Sequence, residues 1–188
     1  MATAKAIPLH AKLMFKGKIF DTYQWEQQMY DGSFVTFERL KRSCTAAVIP
    51  IVGDKILITE QEQPDTHLFI SLPGGRCDEN EDPLVAAQRE LLEETGYVSD
   101  DWILWKEDRP FNKIVWTIYT YIARNCKLKQ SPHLDAGEKI KLKLVTFAEF
   151  IMLSEDPQFR DVGLATELLR IRLHPEKLQK FQNLLFYE

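Results

Sequence analysis

Three glutamates, Glu90, Glu93 and Glu94, stand close together in the segment 75–97, which reads GRCDENEDPLVAAQRELLEETGY. Their i, i+3, i+4 spacing would place the three carboxylates on one face of a helix. Like charges in that arrangement destabilise a helix unless a cation lies among them. Hard divalent ions such as Mg²⁺ take carboxylate oxygens as ligands and commonly bind together with substrate phosphates. The spacing therefore indicates metal-assisted phosphate chemistry.

The residues around the glutamates predict the helix that carries them. Asp82 suits the N-cap, Pro83 the first helical position and Gly96 the C-terminal stop. On such a helix the carboxylates of Glu90 and Glu94 lie one turn apart, about 6 Å along the axis. That separation suits one shared metal ion or two neighbouring ions, which would polarise phosphoryl oxygens and activate water.

The segments on either side predict a mixed sheet covered by helices. Two alternating runs, 18–30 and 33–42, are joined by Asp31-Gly32, which is a strong hairpin signal. Further strands are predicted at 44–51, 55–63, 68–72, 102–107, 114–123 and 140–147, a loop at 131–137, and helices at 148–153, 159–173 and 176–185. This order favours an α/β (α+β) fold with a layered core.

The composition excludes several classes of partner. The chain has 188 residues, 45% hydrophobic and 28% charged, as expected for a soluble globular protein. Its net charge of −4 argues against a nucleic-acid duplex or an anionic membrane as the main partner. Because we find no signal-peptide pattern and no apolar run long enough to span a bilayer, a cytoplasmic location is expected. Cys44, Cys77 and Cys126 are an odd, sparse set and are expected to be reduced thiols.

The segment 75–97 resembles the signature of the Nudix hydrolases. That signature is Gly, five residues, Glu, seven residues, Arg-Glu, an apolar residue, any residue, Glu-Glu, any residue, Gly and an apolar residue. All of its fixed positions are filled, by Gly75, Glu81, Arg89, Glu90, Leu91, Glu93, Glu94, Gly96 and Tyr97. The resemblance implies an αβα sandwich around a mixed sheet. It also implies hydrolysis of a nucleoside diphosphate linked to another group, with Mg²⁺ or Mn²⁺ as cofactor.

The resemblance also implies roles for individual residues. Glu90 and Glu94 correspond to the principal metal ligands, and the backbone carbonyl near Gly74 to another. Glu93 corresponds to the third helix carboxylate, which binds a further metal or positions water, so that Glu90 and Glu93 are both candidates for catalysis. Glu81, Arg89 and Gly75 are implied to support the shape of the signature loop.

A wider resemblance, to the ADP-ribose pyrophosphatase branch, covers most of the first 150 residues. It rests on GKIF at 17–20, the Asp-Gly hairpin, the apolar strand and KILITEQEQ at 55–63. It implies an N-terminal antiparallel β subdomain at 1–42, exchanged across a homodimer, and a Nudix domain with C-terminal helices at 43–188. It also implies a loop carboxylate before the last strand, for which Glu138 is the best match and Glu107, Asp108 and Asp135 are alternatives.

The chain departs from that branch at two places. The strand before the signature ends in EQEQ at 60–63, where members commonly have an arginine for a substrate phosphate. The loop at Arg109-Pro110-Phe111 lacks the usual Pro-Gly pair.

Several residues outside the signature are candidates for substrate contacts. Arg39, Arg109 and Lys113 carry charge that suits phosphates. Trp25, from a partner subunit, and Phe111 are candidates for stacking on a nucleobase, although aromatic residues on hairpin strands are more often core or dimer contacts.

The favoured function is hydrolysis of ADP-ribose or a nucleotide sugar, a small-molecule nucleotide derivative. Dinucleoside polyphosphates and nucleoside triphosphates are alternative substrates. An alternative of another class is a nucleotide-sensing module that does not cleave its ligand. The complete set of signature carboxylates favours the enzyme.

Overall fold

The computed structural model describes residues 6–64, 66–134, 136–137 and 139–187. Within this part of the chain, the strands are β1 (Lys12–Lys16), β2 (Asp21–Gln28), β3 (Phe34–Lys41), β4 (Thr45–Val52), β5 (Lys55–Gln63), β6 (Thr66–Ser71), β7 (Gly74–Arg76), β8 (Tyr97–Val98), β9 (Asp101–Asp108), β10 (Ile114–Val115), β11 (Ile118–Arg124), β12 (Lys127–Leu128) and β13 (Lys139–Val145). The helices are α1 (Pro83–Thr95), α2 (Phe147–Met152), α3 (Val162–Arg172) and α4 (Pro175–Phe186), with a 3₁₀ turn at Leu153–Glu155. None of the helices formed by the described residues has the length and apolar character needed to cross a membrane.

The main sheet is mixed, as the sequence predicts. Its order is β13-β5-β4-β11-β9, with β6 beside β5 and β7 beside β4. β4 and β11 run parallel, whereas β11 with β9 and β13 with β5 run antiparallel. The small β12–β8 pair lies apart from this sheet.

Strand β4 lies at the centre and is buried on both faces. Ala46 and Val48 pack with α1 in one cluster, while Ile49 and Ile51 pack with α2, α3 and α4 in the other. Because side chains alternate across a strand, a nearly continuous apolar run can serve both layers. The α/β (α+β) sandwich predicted from the sequence is confirmed.

The N-terminal strands form a second sheet of order β1-β2-β3-β10. The predicted hairpin is present, with Gln28 opposite Phe34 and a loop that contains Asp31-Gly32, where Gly32 has a φ of +86°. β10 comes from downstream and pairs parallel with the end of β3. The proposed boundary at 42/43 falls between β3 and β4, and the division into two domains stays a prediction.

The prediction of one strand at 114–123 is wrong. The chain leaves the N-terminal sheet after β10 and enters the main sheet at β11. The break is fixed by the indole of Trp116, which donates to Thr45 Oγ1 at 3.1 Å, and by the Thr45 N–H, which donates to the Thr117 carbonyl at 3.0 Å. These bonds join residues far apart in sequence, so β-propensity alone cannot reveal the break.

The expectation of three reduced thiols is also wrong for two of them. Cys44 and Cys77 form a disulfide, with Cα atoms 5.4 Å apart. The pairing of β7 with β4 brings them together, and the Cys77 N–H donates to the Cys44 carbonyl at 2.9 Å. Cys126 is free, and burial raises the pKa of its thiol to about 11.

Candidate active site

The signature residues form a short strand, a loop and a helix. β7 pairs with β4, and residues 77–82, the signature loop, lead into α1. The Asp82 carboxylate accepts from the Leu84 N–H at 2.8 Å, and Pro83 begins the helix. Gly96 ends it with a φ of +76°, a left-handed conformation that favours glycine. All three predicted helix signals are confirmed.

One cavity of about 250 Å³ lies between the loop and the helix. The three glutamates, the glycines of strand β7 (the glycine strand) and a histidine meet at this cavity. Its lining residues are Gly74, Gly75, Arg76, Asp78, Arg89, Glu90, Glu93, Glu94 and His133. The i, i+3, i+4 carboxylates therefore do face one space.

Arg89 is the cation that lies among the carboxylates. Its Nη1 donates to Glu90 Oε1 at 2.8 Å and to Glu93 Oε2 at 3.1 Å. Its Nε and Nη2 hold both oxygens of Glu81 at 3.0 Å. These carboxylates, with Glu81 first, raise the pKa of Arg89, so the guanidinium stays charged. Part of the repulsion expected from the sequence is thus relieved within the chain.

The same ion pair fastens the signature loop to α1. Glu81 Oε2 also accepts from the Asp78 N–H at 2.8 Å, and Arg89 Nη2 donates to the Arg76 carbonyl at 3.2 Å. Hydrogen bonds from Arg89 and then from Asp78 lower the pKa of Glu81 below its ordinary value. One bidentate pair therefore holds the backbone at two points, at the end of β7 and in the signature loop.

The two glycines of β7 allow the strand to approach the carboxylates closely. A Cβ on Gly75 would lie 2.4 Å from Glu90 Oε1, and one on Gly74 would lie 2.2 Å from the Ala46 carbonyl oxygen. Gly74 also has a φ of +147°, and its N–H donates to Glu94 Oε2 at 2.9 Å. Glu94 is 7% exposed, so this bond orients a buried carboxylate.

The donor set fits a hard divalent cation. Among the residues that the structure describes, no three acidic, histidine or cysteine side chains already converge as a ligand set, and Arg89 and the Gly74 N–H hold carboxylate oxygens instead. The cavity nevertheless offers three carboxylates to oxygen-seeking ions. The space that a Gly75 side chain would fill is open beside Glu90.

The predicted substrate contacts do not line this cavity. Arg39 lies over the ring of Trp25 at 5.4 Å, and Trp25 is 7% exposed. Arg109 pairs with Glu107 at 2.9 Å on the surface, and Phe111 lies against another ring.

The alternatives for the loop carboxylate are placed unequally. Glu138, the best match, and Asp135 lie outside the described residues. Asp108 pairs with Lys106 at 2.7 Å, and neither Glu107 nor Asp108 lines the cavity.

His133 reaches the cavity, although nothing in the sequence pattern singled it out from the other histidines. The backbone N–H of His133 donates to the Glu93 carbonyl at 2.7 Å, which brings the 131–134 segment against the end of α1. Its position in the loop before Glu138 was the available signal. Arg76 and Asp78 were missed because the signature leaves their positions free, although Arg76 adjoins the fixed Gly75.

Comparisons with known proteins agree with this geometry. A family model described as the NUDIX domain matches residues 41–165. The ADP-ribose pyrophosphatase of Bacillus subtilis (strain 168) is 24% identical over 166 residues, covering 85% of this chain and 89% of that protein. The methanol dehydrogenase activator of Bacillus methanolicus is 27% identical over 154 residues, covering 79% and 82%. A crystal structure of an ADP compounds hydrolase shares the fold, with a TM-score of 0.72, 21% identity, and coverage of 92% of this chain and 95% of that one. The chain belongs to the Nudix hydrolase family and is similar to its ADP-ribose pyrophosphatase branch.

Proposed function

We propose that this hydrolase cleaves the pyrophosphate bond of a nucleoside diphosphate linked to another group, with ADP-ribose favoured over other nucleotide derivatives, and that it requires Mg²⁺ or Mn²⁺. The observation that carries the proposal is the single cavity in which Glu90, Glu93 and Glu94 meet the glycine strand. The substrate preference is supported by the similarity to the ADP-ribose pyrophosphatase of Bacillus subtilis.

The proposed metal ligands are Glu90, Glu94 and the backbone carbonyl of Gly74. A bound divalent ion neutralises phosphoryl oxygens and lowers the pKa of coordinated water. To hold the ion, Glu90 and Glu94 would exchange protein hydrogen bonds for it, and Arg89 would keep its pairing with Glu81 on releasing Glu90. Because Gly75 has no Cβ, the strand leaves room for the Glu90 carboxylate beside it.

Glu93 is the proposed general base, or a ligand of a further metal. Its side chain is 47% exposed, whereas that of Glu90 is 14% exposed, so Glu93 is the more open of the two to an entering water. In the reaction, Glu93 accepts a proton from the water whose oxygen bonds to phosphorus. The phosphorus–oxygen bond of the anhydride breaks, and the departing phosphate takes the electron pair. Glu138 is the alternative base.

The remaining contacts are also proposals. Arg39, Trp25, Arg109 and Phe111 would bind substrate, with Trp25 supplied by a partner subunit. Exposed apolar side chains on the N-terminal strands, among them Phe15 and Phe34, support a homodimer formed through this sheet.

A cytoplasmic location is proposed, since that compartment holds nucleotide derivatives. The Cys44–Cys77 disulfide argues against this location, because disulfides are rare in the cytoplasm.

The deciding experiment measures hydrolysis across ADP-ribose, nucleotide sugars, dinucleoside polyphosphates and nucleoside triphosphates, each with Mg²⁺, Mn²⁺ or a chelator. We expect ADP-ribose to give AMP and ribose 5-phosphate, with no turnover in the chelator. Preferential cleavage of a triphosphate or a dinucleoside polyphosphate would contradict the substrate assignment. Nucleotide binding without cleavage of any compound would instead support the sensing module.

A further inference from the structure

Arg42 is held in an unusual setting just before β4. Its Cζ lies 4.4 Å from the ring centre of Trp116 and 5.5 Å from that of Phe20. Its Nε is buried and has no hydrogen-bond partner among the described residues. A guanidinium that packs on aromatic rings keeps its donors in a fixed plane, which suits bidentate recognition of an oxyanion.

A second guanidinium, that of Arg76, lies within electrostatic range of Arg42. Burial, and then the charge of Arg76, lower the pKa of Arg42, so the two cations are close enough to repel each other. Arg76 is exposed, lines the acidic cavity, and donates from Nη1 to the Lys18 carbonyl at 3.1 Å. In the described part of the chain, neither arginine has a carboxylate within ion-pairing distance, although the protein is acidic overall.

Long-range contacts join the segments that contain the two arginines. Arg76 pairs with Thr45 across β7 and β4. Thr45 Oγ1 accepts from the indole of Trp116, and Arg42 packs on that same indole ring. The Cys44–Cys77 disulfide joins the segments next to both arginines. Keeping two like charges together without a counterion costs free energy, and a bound anion would remove that cost.

We propose that Arg42 and Arg76 form an anion subsite that binds a phosphate group of the substrate at the edge of the acidic cavity. This inference rests on the proposed function, because the phosphate is that of a nucleoside diphosphate derivative. The subsite supplies positive charge that is missing at 60–63, where the chain has Glu and Gln only. The subsite lies beside the carboxylates of α1. One substrate would therefore contact both the proposed metal-binding carboxylates and the two arginines.

The aromatic side chains next to Arg42 extend the subsite. Phe111 stacks on Trp116 with ring centres 5.9 Å apart and planes 9° from parallel, and Phe111 is itself exposed. The subsite therefore places an open aromatic surface beyond the phosphate position, where the nucleoside part of the substrate would lie.

The kinetic test uses Arg42→Gln, Arg76→Gln and Arg42→Lys in the full chain with ADP-ribose and Mg²⁺. We expect each Gln variant to raise KM at least tenfold while kcat falls by a smaller factor, and Arg42→Lys to recover part of the loss because it keeps the charge. The matched control is Arg160→Gln, since Arg160 also lies over a ring, but that ring is Phe69, at 4.5 Å, and not Trp116 next to Thr45. Values of KM within twofold of wild type in both Gln variants would overturn the subsite.

A binding test separates this inference from the proposed function. Inorganic pyrophosphate is titrated calorimetrically into wild-type protein and into Arg76→Gln, both with a chelator present. Saturable binding that weakens at least tenfold in the variant supports the subsite even if ADP-ribose is not cleaved, in which case only the proposed function fails. Absent or equal binding overturns the subsite even if ADP-ribose is cleaved. Because Arg76 is exposed, this variant is expected to fold, and its circular dichroism spectrum verifies that.

Discussion

The signature segment and the N-terminal sheet differ in whether their side chains find partners within the chain. In the signature segment, Arg89, Glu81 and Gly74 pair with groups that are at most 20 residues away. In the N-terminal sheet, β1 is exposed along its whole length, and apolar side chains on it and on β3 face solvent, namely Leu13, Met14, Phe15, Phe34 and Val35.

This difference points to separate roles for the two regions of the molecule. In the signature segment, one strand, loop and helix from a continuous stretch of sequence supply nearly all of the lining of an acidic cavity. A sheet with exposed apolar side chains has unsatisfied surface, which is typical of a binding or association face. We therefore expect the first region to determine the type of reaction and the second to serve substrate contacts or assembly.

The largest effect is expected inside the signature segment. Glu90→Gln and Glu94→Gln should each lower kcat by about 100-fold to 1,000-fold, because each removes a charged oxygen ligand of the proposed metal ion. Both variants should keep a wild-type circular dichroism spectrum, since Gln has the same shape as Glu. Steady-state kinetics at saturating Mg²⁺ measures the effect.

Glu79→Gln is the control for those variants, because Glu79 is exposed in the same loop and does not line the cavity. Its kcat should equal that of wild type. Near-normal kcat in either Glu90→Gln or Glu94→Gln would show that the assigned ligands are wrong.

The disulfide provides the next test, because it links the start of β4, next to the N-terminal sheet, to the signature loop. Its cysteines are 33 positions apart, and closing a loop of that length stabilises a fold by about 3–4 kcal/mol. Full reduction should therefore lower the Tm of wild type by about 10 °C. Thermal unfolding with and without dithiothreitol measures the shift.

A Cys44→Ala/Cys77→Ala variant serves as the reference for reduction. Its Tm should be the same with and without dithiothreitol, since Cys126 is free. If reduced wild type unfolds at the same temperature as the oxidised protein, the disulfide does not constrain the fold.

The sequence was informative where neighbours in the chain are neighbours in space. Asp82, Pro83 and Gly96 bound the helix as predicted, because capping depends on local backbone groups. The same locality explains the three carboxylates facing one cavity. Arg89, expected only to support the signature loop, also holds Glu90 and Glu93, because the pattern states which residues occur and not which atoms pair.

The sequence was uninformative where contacts join distant segments. The Arg42–Arg76 pair and the Cys44–Cys77 disulfide both depend on β7 pairing with β4, which periodicity does not encode. Trp116 lies within an apparently continuous β-rich run, and only its bond to Thr45 marks the break between two sheets. Such features follow from topology, not from local propensity.

A smaller effect is expected from Glu81, and it should depend on pH. Its folded pKa is lower than its ordinary value of 4.5, so its contribution is fully present above pH 4.5 and is lost as pH falls through the folded pKa. Glu81→Gln should cost about 2 kcal/mol at pH 7, as expected for losing hydrogen bonds to a charged group. Urea unfolding at several pH values measures the difference.

The difference between wild type and Glu81→Gln should shrink steadily below pH 4.5. Glu79→Gln, at an exposed position of the same loop, should show no comparable loss at pH 7. A penalty in Glu81→Gln that stays constant down to the lowest pH would mean that packing, not the ion pair with Arg89, holds the loop.

The smallest effect on the folded monomer is expected in the N-terminal sheet. Phe15→Ser/Phe34→Ser removes two exposed side chains, so each change should alter the monomer's free energy of unfolding by less than about 0.5 kcal/mol. If these side chains form a dimer interface, wild type should sediment as a dimer and the variant as a monomer. The Tm of wild type should then rise with protein concentration, and that of the variant should not, because association stabilises by mass action.

Val162→Ser, an equally exposed apolar position on α3, should keep the wild-type mass and concentration dependence. A monomeric wild type would leave the exposed face of this sheet to substrate alone, and the contrast with the signature segment would then concern binding and not assembly.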